Sequence, residues 1–229
     1  SHGEYRKQQN KIENSSTKEV LYTPPISSNI TRLISNLEKF INYRPENIDP
    51  LIASAIAHYQ FEAIHPFNAG NGRTGRILMV LQLIQDEVIS LPILYISGYL
   101  NKNRTEYYKL LRQVTTKEDW NSFISFMLNG FYLQAKETKE ILFNIMKLFH
   151  SYKDEIKNKH KKIYTADLIE ALFSFPIITP VKLGKELGIH YTTASRHLVT
   201  LEKSGFLKEN VVGKYHFYIN HKLLNIMKK

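Results

Sequence analysis

Two long apolar stretches interrupted by one short glycine-rich loop constrain this chain more than any other feature. Residues 51–64, LIASAIAHYQFEAI, are apolar on almost every side except at His58, Gln60 and Glu62, which reads as a central helix buried all round. It begins near Asp49 and Pro50 and stops at His65, because Pro66 disfavours helical geometry in the residue before it. Ile77, Leu78, Val80, Leu81, Leu83 and Ile84 make another helix, also apolar on most faces. Between the two lies HPFNAGNGRTGR, His65 to Arg76. Two buried helices thus flank one loop.

The rest of the chain is mainly α. Ile30, Leu33, Ile34, Leu37, Phe40 and Ile41 fall at helical spacing behind Ser28 or Asn29 as cap, ending near Arg44 and Pro45. Residues 104–114 and 120–150 are helical by the same reading. Tyr5 to Pro25 is polar with β-branched and aromatic islands and predicts a hairpin stopped by Pro24 and Pro25. Residues 151–162 carry seven charged residues with Tyr152 and Ile156 as anchors, and read either as an exposed connecting helix or as a hinge. The domain boundary is placed there, giving a body over 1–150, with its hairpin at about 5–25, and a tail over 163–229.

Charge separates the two parts. Residues 1–150 hold 17 Lys+Arg against 14 Asp+Glu, and residues 151–229 hold 14 against 7, so the tail carries +7 of the net +10. That asymmetry points to DNA or another acidic partner for the tail, with a lysine-rich solvated surface as the alternative. Zero cysteines exclude disulfides, thiolate nucleophiles and cysteine metal sites, and suit a cytoplasmic protein. No apolar run is long enough for a membrane span. The chain opens Ser1, His2, Gly3 without an initiator methionine, so these residues are read as a remnant of processing, with sequence expected upstream.

The loop has the chemistry of a triphosphate site with a base beside it. Gly70 and Gly72 permit positive φ and close approach of a ligand, and with Asn71 between them the peptide N–H groups converge as an anion nest. The loop runs into a helix N-terminus, which favours anions. Arg73 and Arg76, three apart in the first turn, can clamp phosphate oxygens, and their unfavourable placement against the helix dipole implies an anionic ligand. His65 is one loop away from those phosphates, with a pKa suited to taking a proton from an attacking hydroxyl. Phe67 would pin the loop to the core. Each part alone has an ordinary structural reading as turn, cap or solvated charge; their occurrence together within twelve residues weakens those readings.

HPFNAGNGRTGR resembles the signature of Fic proteins at every specified position but one. GEYR at Gly3 to Arg6, VLYTPP, AHYQFEAIHPF, LPILYISGYL and NRTEYY extend the resemblance over roughly residues 3–150. It implies an all-helical core with a β-hairpin flap and transfer of AMP from ATP to a Ser, Thr or Tyr hydroxyl of a protein, the chain itself included. On that resemblance His65 is the general base, and Asn71 with the loop amides of Gly70 and Gly72 holds the α- and β-phosphates. Arg73 and Arg76 hold the outer phosphates, Phe67 completes the nucleotide site, and Tyr108 lies near the adenine. The flap residues Tyr5, Val20, Leu21 and Tyr22 would align a target segment by strand addition. Gly72, where phosphorylating relatives carry Lys, leans toward nucleotidyl transfer.

The exception is Ala69, which stands where the family has Asp or Glu to hold magnesium, and a methyl group cannot ligate Mg²⁺. Three readings follow: slow turnover with the metal on phosphates and water alone, nucleotide binding without transfer, or a substitution that traps a complex. An inhibitory Ser/Thr-x-x-x-Glu-Gly/Asn helix is not found; the near match Ser15 to Val20 ends in Val and is rejected.

The tail pattern predicts helices over 166–173, 180–187 and 192–204 and a hairpin over 206–219, and resembles a small winged helix-turn-helix. Its presumptive recognition helix carries Tyr191, Thr192, Thr193, Ser195, Arg196 and His197. Thr192, Thr193, Ser195 and Arg196 are candidate contacts to DNA, as are Lys208, Lys214, Tyr215 and His216 on the wing. Such domains also bind protein or dimerise, so a homo-oligomer is compatible. The alternative to an enzyme is a DNA-binding regulator whose body senses ATP with little transfer.

Overall fold

The structure, a computed structural model, describes residues 3–13, 20–45 and 47–228; the side chain of Leu21 lies outside the described set, as does the rejected segment at 15–19. Among the described residues ten α-helices, two antiparallel sheets and one 3₁₀ turn follow one another along the chain. They divide into two compact units, Ser1–Thr138 and Lys139–Lys229.

The first unit is built around helix α2 (Pro50–Ile64), with Asp49 as N-cap accepting from the Leu51 N–H. Ala55 and Tyr59 of α2 enter one core with Met79, Leu83, Tyr99, Tyr107, Phe123 and Met127. Ala57, Phe61 and Ile64 enter a second with Ile30 and Leu37 of α1 (Ile30–Tyr43). A helix sandwiched between two cores has no solvent face, which is why its sequence is apolar all round. Helix α1 starts from a 3₁₀ turn, Ser27–Asn29, and neither candidate cap side chain makes a capping hydrogen bond.

Helix α3 (Asn71–Gln85) departs from expectation: it is buried along Asn71, Gly75, Met79, Gln82 and Leu83, but Ile77 and Leu81 are exposed. It packs on α2 along one stripe only, and its far end is tied to α1 by the Arg44–Asp86 ion pair at 2.8 Å. Helix α5 (Arg104–Lys117) closes the other side of the cavity described below; α4 (Ile96–Lys102), which precedes it, was not foreseen. The hairpin is shorter than expected, β1 (Ile12–Glu13) pairing with β2 (Val20–Tyr22) in an irregular register, and Tyr5 lies outside it.

Helix α6 (Trp120–Lys159) absorbs most of the charged stretch read as a linker. The division between units falls at Thr138/Lys139 within it, because Tyr152 and Ile156 are core residues of the second unit. That unit contains α7 (Ala166–Ser174), α8 (Pro180–Leu187), α9 (Tyr191–Lys203) and α10 (His221–Met227). Strands β3 (Ile177–Ile178), β4 (Lys208–Val212) and β5 (Tyr215–Ile219) form a sheet of order β3-β5-β4. Gly188 ends α8 in a left-handed conformation before the turn into α9. Asn220, fully buried, ties this core together: its amide donates to Leu172 O, and its oxygen receives the Tyr152 hydroxyl and the Leu223 N–H. Helix α10 and strand β3 were not foreseen.

Candidate active site

The loop turns at His65, the left-handed C-cap of α2 (φ 48°, ψ 60°), and again at Gly70, the left-handed N-cap of α3 (φ 86°). A non-glycine residue at positive φ needs outside support, and Arg6 supplies it. Buried at 2% exposure, Arg6 donates from Nε to the His65 carbonyl at 2.9 Å, from Nη1 to Gln8 O and from Nη2 to Pro25 O, and its own N–H reaches Pro66 O at 2.8 Å. Its acceptors are main-chain carbonyls far apart in sequence, so no local pattern announced it.

Asn71 closes the other half of the turn. It is buried, and its amide pairs with the main chain of Phe67 in both directions, accepting from N and donating to O, each at 2.8 Å. The side chain expected on the phosphates thus first holds the loop, leaving one N–H for a ligand. Phe67 packs against the second core and against the rings of Tyr5 and Phe61. It therefore pins the loop to that core. Gly72 also differs from expectation. Its φ is not positive, and it sits in the first turn of α3, where a Cβ would meet Arg76 Nη1 at 3.0 Å.

Both arginines fold back toward the loop. Arg73 Nη2 lies 3.6 Å from where a Cβ on Gly70 would stand. Arg76 lies over Gly72, and its Nε donates to Ser97 Oγ of α4 at 2.9 Å. The N-terminal turn of α3 thus carries its free N–H groups with the two guanidinium groups folded back beside Gly70 and Gly72.

His65, Glu62 and Gly72 line a cavity of about 710 Å³ together with Ile12, Tyr22, Tyr59, Tyr108, Leu111 and Thr115. Burial depresses the His65 imidazole below its usual value, Arg6 acts in the same direction, and the Glu62 main-chain carbonyl works against them. The ring is consequently neutral at pH 7. Its Nδ1 is buried without a hydrogen bond of normal geometry, leaving Nε2 as the nitrogen that can face the cavity. Tyr108 flanks the cavity under the Arg104 guanidinium, 5.6 Å from its ring centre.

Beneath the loop lies a polar cluster that sequence reasoning passed over. His58, 1% exposed, meets the Tyr107 hydroxyl at 2.8 Å through Nε2. Burial drives its imidazole down to about 4, so it is neutral. Glu62, one turn on, has Oε1 buried without a hydrogen-bond partner, and burial pushes its carboxyl up to about 7 against the pull of Arg76. The available signal was a Glu in a helix otherwise buried all round, where charged residues are rare unless paired.

The flap residues are only partly available. Tyr22 donates its hydroxyl to Ala63 O of α2 at 3.0 Å and lines the cavity, which anchors the hairpin rather than presenting that side chain outward. Val20 is exposed.

The metal expected from the resemblance does not fit. Ala69 and Asn68 are exposed and the loop has no carboxylate, while among the described residues no group of three or more His, Asp or Glu side chains gathers to hold a cation.

In the second unit Tyr191, Thr192 and Arg196 are exposed on α9, with Thr193 and Ser195 partly so, and Lys214 and Tyr215 stand exposed at the β4–β5 turn. His216 is not free, since its Nδ1 meets Glu209 at 2.7 Å. His197 has its Nδ1 buried and unpartnered. Among the described residues no helix is long and apolar enough to cross a membrane.

Residues 1–83 match the Fic/DOC family, and residues 148–223 match the C-terminal domain of SoFic-like protein adenylyltransferases. A protein adenylyltransferase Fic of Aedes aegypti is 32% identical over 107 residues, 46% of this chain and 20% of the relative. A probable protein adenylyltransferase of Aquifex aeolicus is 26% identical over 211 residues, 91% of this chain and 60% of the relative. The chain thus spans from a fifth to three fifths of the length of these relatives. The crystal structure of a Fic family protein from Desulfovibrio desulfuricans G20 shares the fold, with TM-score 0.53 at 22% identity over 95% of this chain and 62% of that one.

Proposed function

We propose that the chain transfers AMP from ATP to a serine, threonine or tyrosine hydroxyl of a protein, itself included, with His65 as general base. The observation that carries this reading is a single cavity in which a neutral, half-buried imidazole and Tyr108 face the N-terminal turn of α3, where two arginines fold back over the loop. In the step, His65 Nε2 takes the proton of the acceptor hydroxyl as its oxygen bonds to the α-phosphorus. The bond from that phosphorus to the β-phosphate oxygen breaks, and pyrophosphate leaves. The developing charge is met by the N–H groups at the start of α3 and by Arg73 and Arg76. The open edges of the β1–β2 hairpin beside the cavity support alignment of a target by strand addition.

The second unit is read as a winged helix, supported by the order α7, α8, α9 followed by a hairpin with a basic, aromatic tip. The exposed Thr192, Arg196 and Lys214 favour a second reading, in which this unit holds DNA and the first unit senses nucleotide.

Incubation with α-labelled and, separately, γ-labelled ATP tests both. Label from the α position only, lost in His65→Ala, is the expected result; label from γ, or labelling indifferent to that substitution, refutes the transfer proposed. Salt-dependent binding of a specific duplex, modulated by ATP and without transfer under any divalent ion, would establish the second reading instead.

A further inference from the structure

Glu62 sits where a carboxyl is hard to explain by packing. It lies one turn before His65 on α2, aimed at the first turn of α3, and its Oε1 stands 2.6 Å from where a Cβ on Gly75 would be. Any side chain at 75 would evict it. His58 Nδ1 and the Phe61 ring lie within 3.2 Å of the same point, so the pocket holding the carboxyl is tight and Oε1 finds no donor in it. The nearby cation is Arg76. Arg76 Nη1 and Glu62 Oε1 lie 3.0 and 3.9 Å from a single point, the place of a Cβ on Gly72, yet the guanidinium is held through Nε by Ser97. Arg76 is thus bonded to a serine beside it and stands near, but not paired with, the carboxyl on the far side of Gly72, which itself lines the cavity.

We propose that Glu62 is a positioning residue that sets Arg76: ionised, its carboxyl draws the guanidinium down over Gly72; protonated, it releases the guanidinium to a phosphate oxygen, so that nucleotide binding takes up a proton. The inference rests on the reading of the loop as a nucleotide site. A phosphate arriving at Arg76 places negative charge beside Glu62 and withdraws its counter-charge, and both effects favour the neutral acid. The titratable and charged groups around Glu62 are His58 of α2, His65 at its C-cap, Arg76 from α3 and Tyr107 from α5, with Glu13 of β1, Tyr22 of β2, Tyr59 of α2 and Arg104, Tyr108, Lys109 and Arg112 of α5 around the same cavity. Of these His58 is neutral and sealed, and Tyr107 is held protonated by burial. The carboxyl, already raised to about 7 by burial, is therefore the group poised to change charge near neutrality.

The experiment is calorimetric titration of the full chain with ATP at pH 8 in buffers of different ionisation enthalpy, which counts protons exchanged on binding. At that pH the nucleotide's terminal phosphate is already ionised, so uptake belongs to the protein. A sizeable fraction of one proton, up to about one, is expected for the wild type and for His65→Ala, and close to none for Glu62→Gln. In transfer assays log KM for ATP is expected to climb with pH above 7 in the wild type and to stay flat in Glu62→Gln. Binding without uptake in the wild type overturns the inference and leaves the nucleotide site standing. Uptake retained in Glu62→Gln but lost in His65→Ala assigns the proton to His65 and also overturns it. Absence of ATP binding overturns both. The wild-type and His65→Ala titrations decide the matter even where Glu62→Gln fails to fold.

Discussion

Replacing Glu62 by Gln is expected to change the pH dependence of stability before it changes anything else. The folded state holds this carboxyl at about 7, against an ordinary value of 4.5. With the folded pKa raised, the protonated group stabilises fully below 4.5, and that contribution is lost as pH rises through 7. At 1.36 kcal/mol per pKa unit the loss comes to about 3 kcal/mol between pH 4.5 and 8. The burial of Glu62 leaves little screening to discount. His58 slopes the opposite way, since its folded pKa is depressed and its contribution falls as pH drops, but it is common to both proteins and cancels in their difference. The variant should therefore gain on the wild type by about 2–3 kcal/mol from pH 5 to pH 8. The two units need not unfold together, so the probe must belong to the first. Trp120, the sole tryptophan, packs edge-on against Tyr59 at 4.9 Å in that unit's core. Urea titrations followed by its fluorescence at pH 5, 6, 7 and 8 give the difference directly. A difference that stays flat across that range refutes a titrating, buried Glu62.

Three further outcomes follow from the same geometry. With His65 depressed below its usual value, the acidic limb of transfer should have its midpoint below 6.5; a midpoint at or above 6.5 in a pH–rate profile contradicts the assigned burial. Ala69→Asp should raise magnesium-dependent transfer by about tenfold or more, since one carboxylate beside the phosphates is what the loop lacks, and an unchanged rate would remove position 69 from consideration as a metal position. Arg6→Lys keeps the charge but loses the fork that holds His65 O, Gln8 O and Pro25 O; it should cost the first unit about 2–3 kcal/mol by Trp120 fluorescence and lower transfer, and an unaffected rate would mean the His65 turn stands without its clamp.

What the sequence disclosed about the fold depended on how many partners an element has. Helix α2 was legible because both of its sides enter cores, so apolar residues fall on every face. Helix α3 was misjudged by the same pattern, since periodicity registers that Ile77 and Leu81 are apolar but not that no neighbour covers them. Helices α4 and α10, seven residues each, are too short to show a period. The charged stretch after residue 150 was read by composition as a connector. Tyr152 and Ile156, four apart on one face, instead mark it as part of the second core.

The site divides along a different line. Residues that act through local backbone geometry, Gly70 and the arginines following it, could be read from spacing, because turn and helix start are local. Arg6 could not, because its acceptors lie up to 59 residues away. The polar stripe of α2 falls between these cases. His58, Glu62 and His65 stand at i, i+4 and i+7 and therefore share one face, the histidine and carboxyl groups of a largely apolar segment. Depth along that face sorts them. His58, at the bottom, is neutral and bonded to Tyr107; Glu62, in the middle, is poised between charge states; His65 lines the cavity, where the proposed transfer needs a base. A single helix face graded in burial thus places a fixed neutral group, a titrating one and the proposed base in sequence beneath one glycine-rich loop. Moving any of the three by one residue would turn it out of the stripe and into a core.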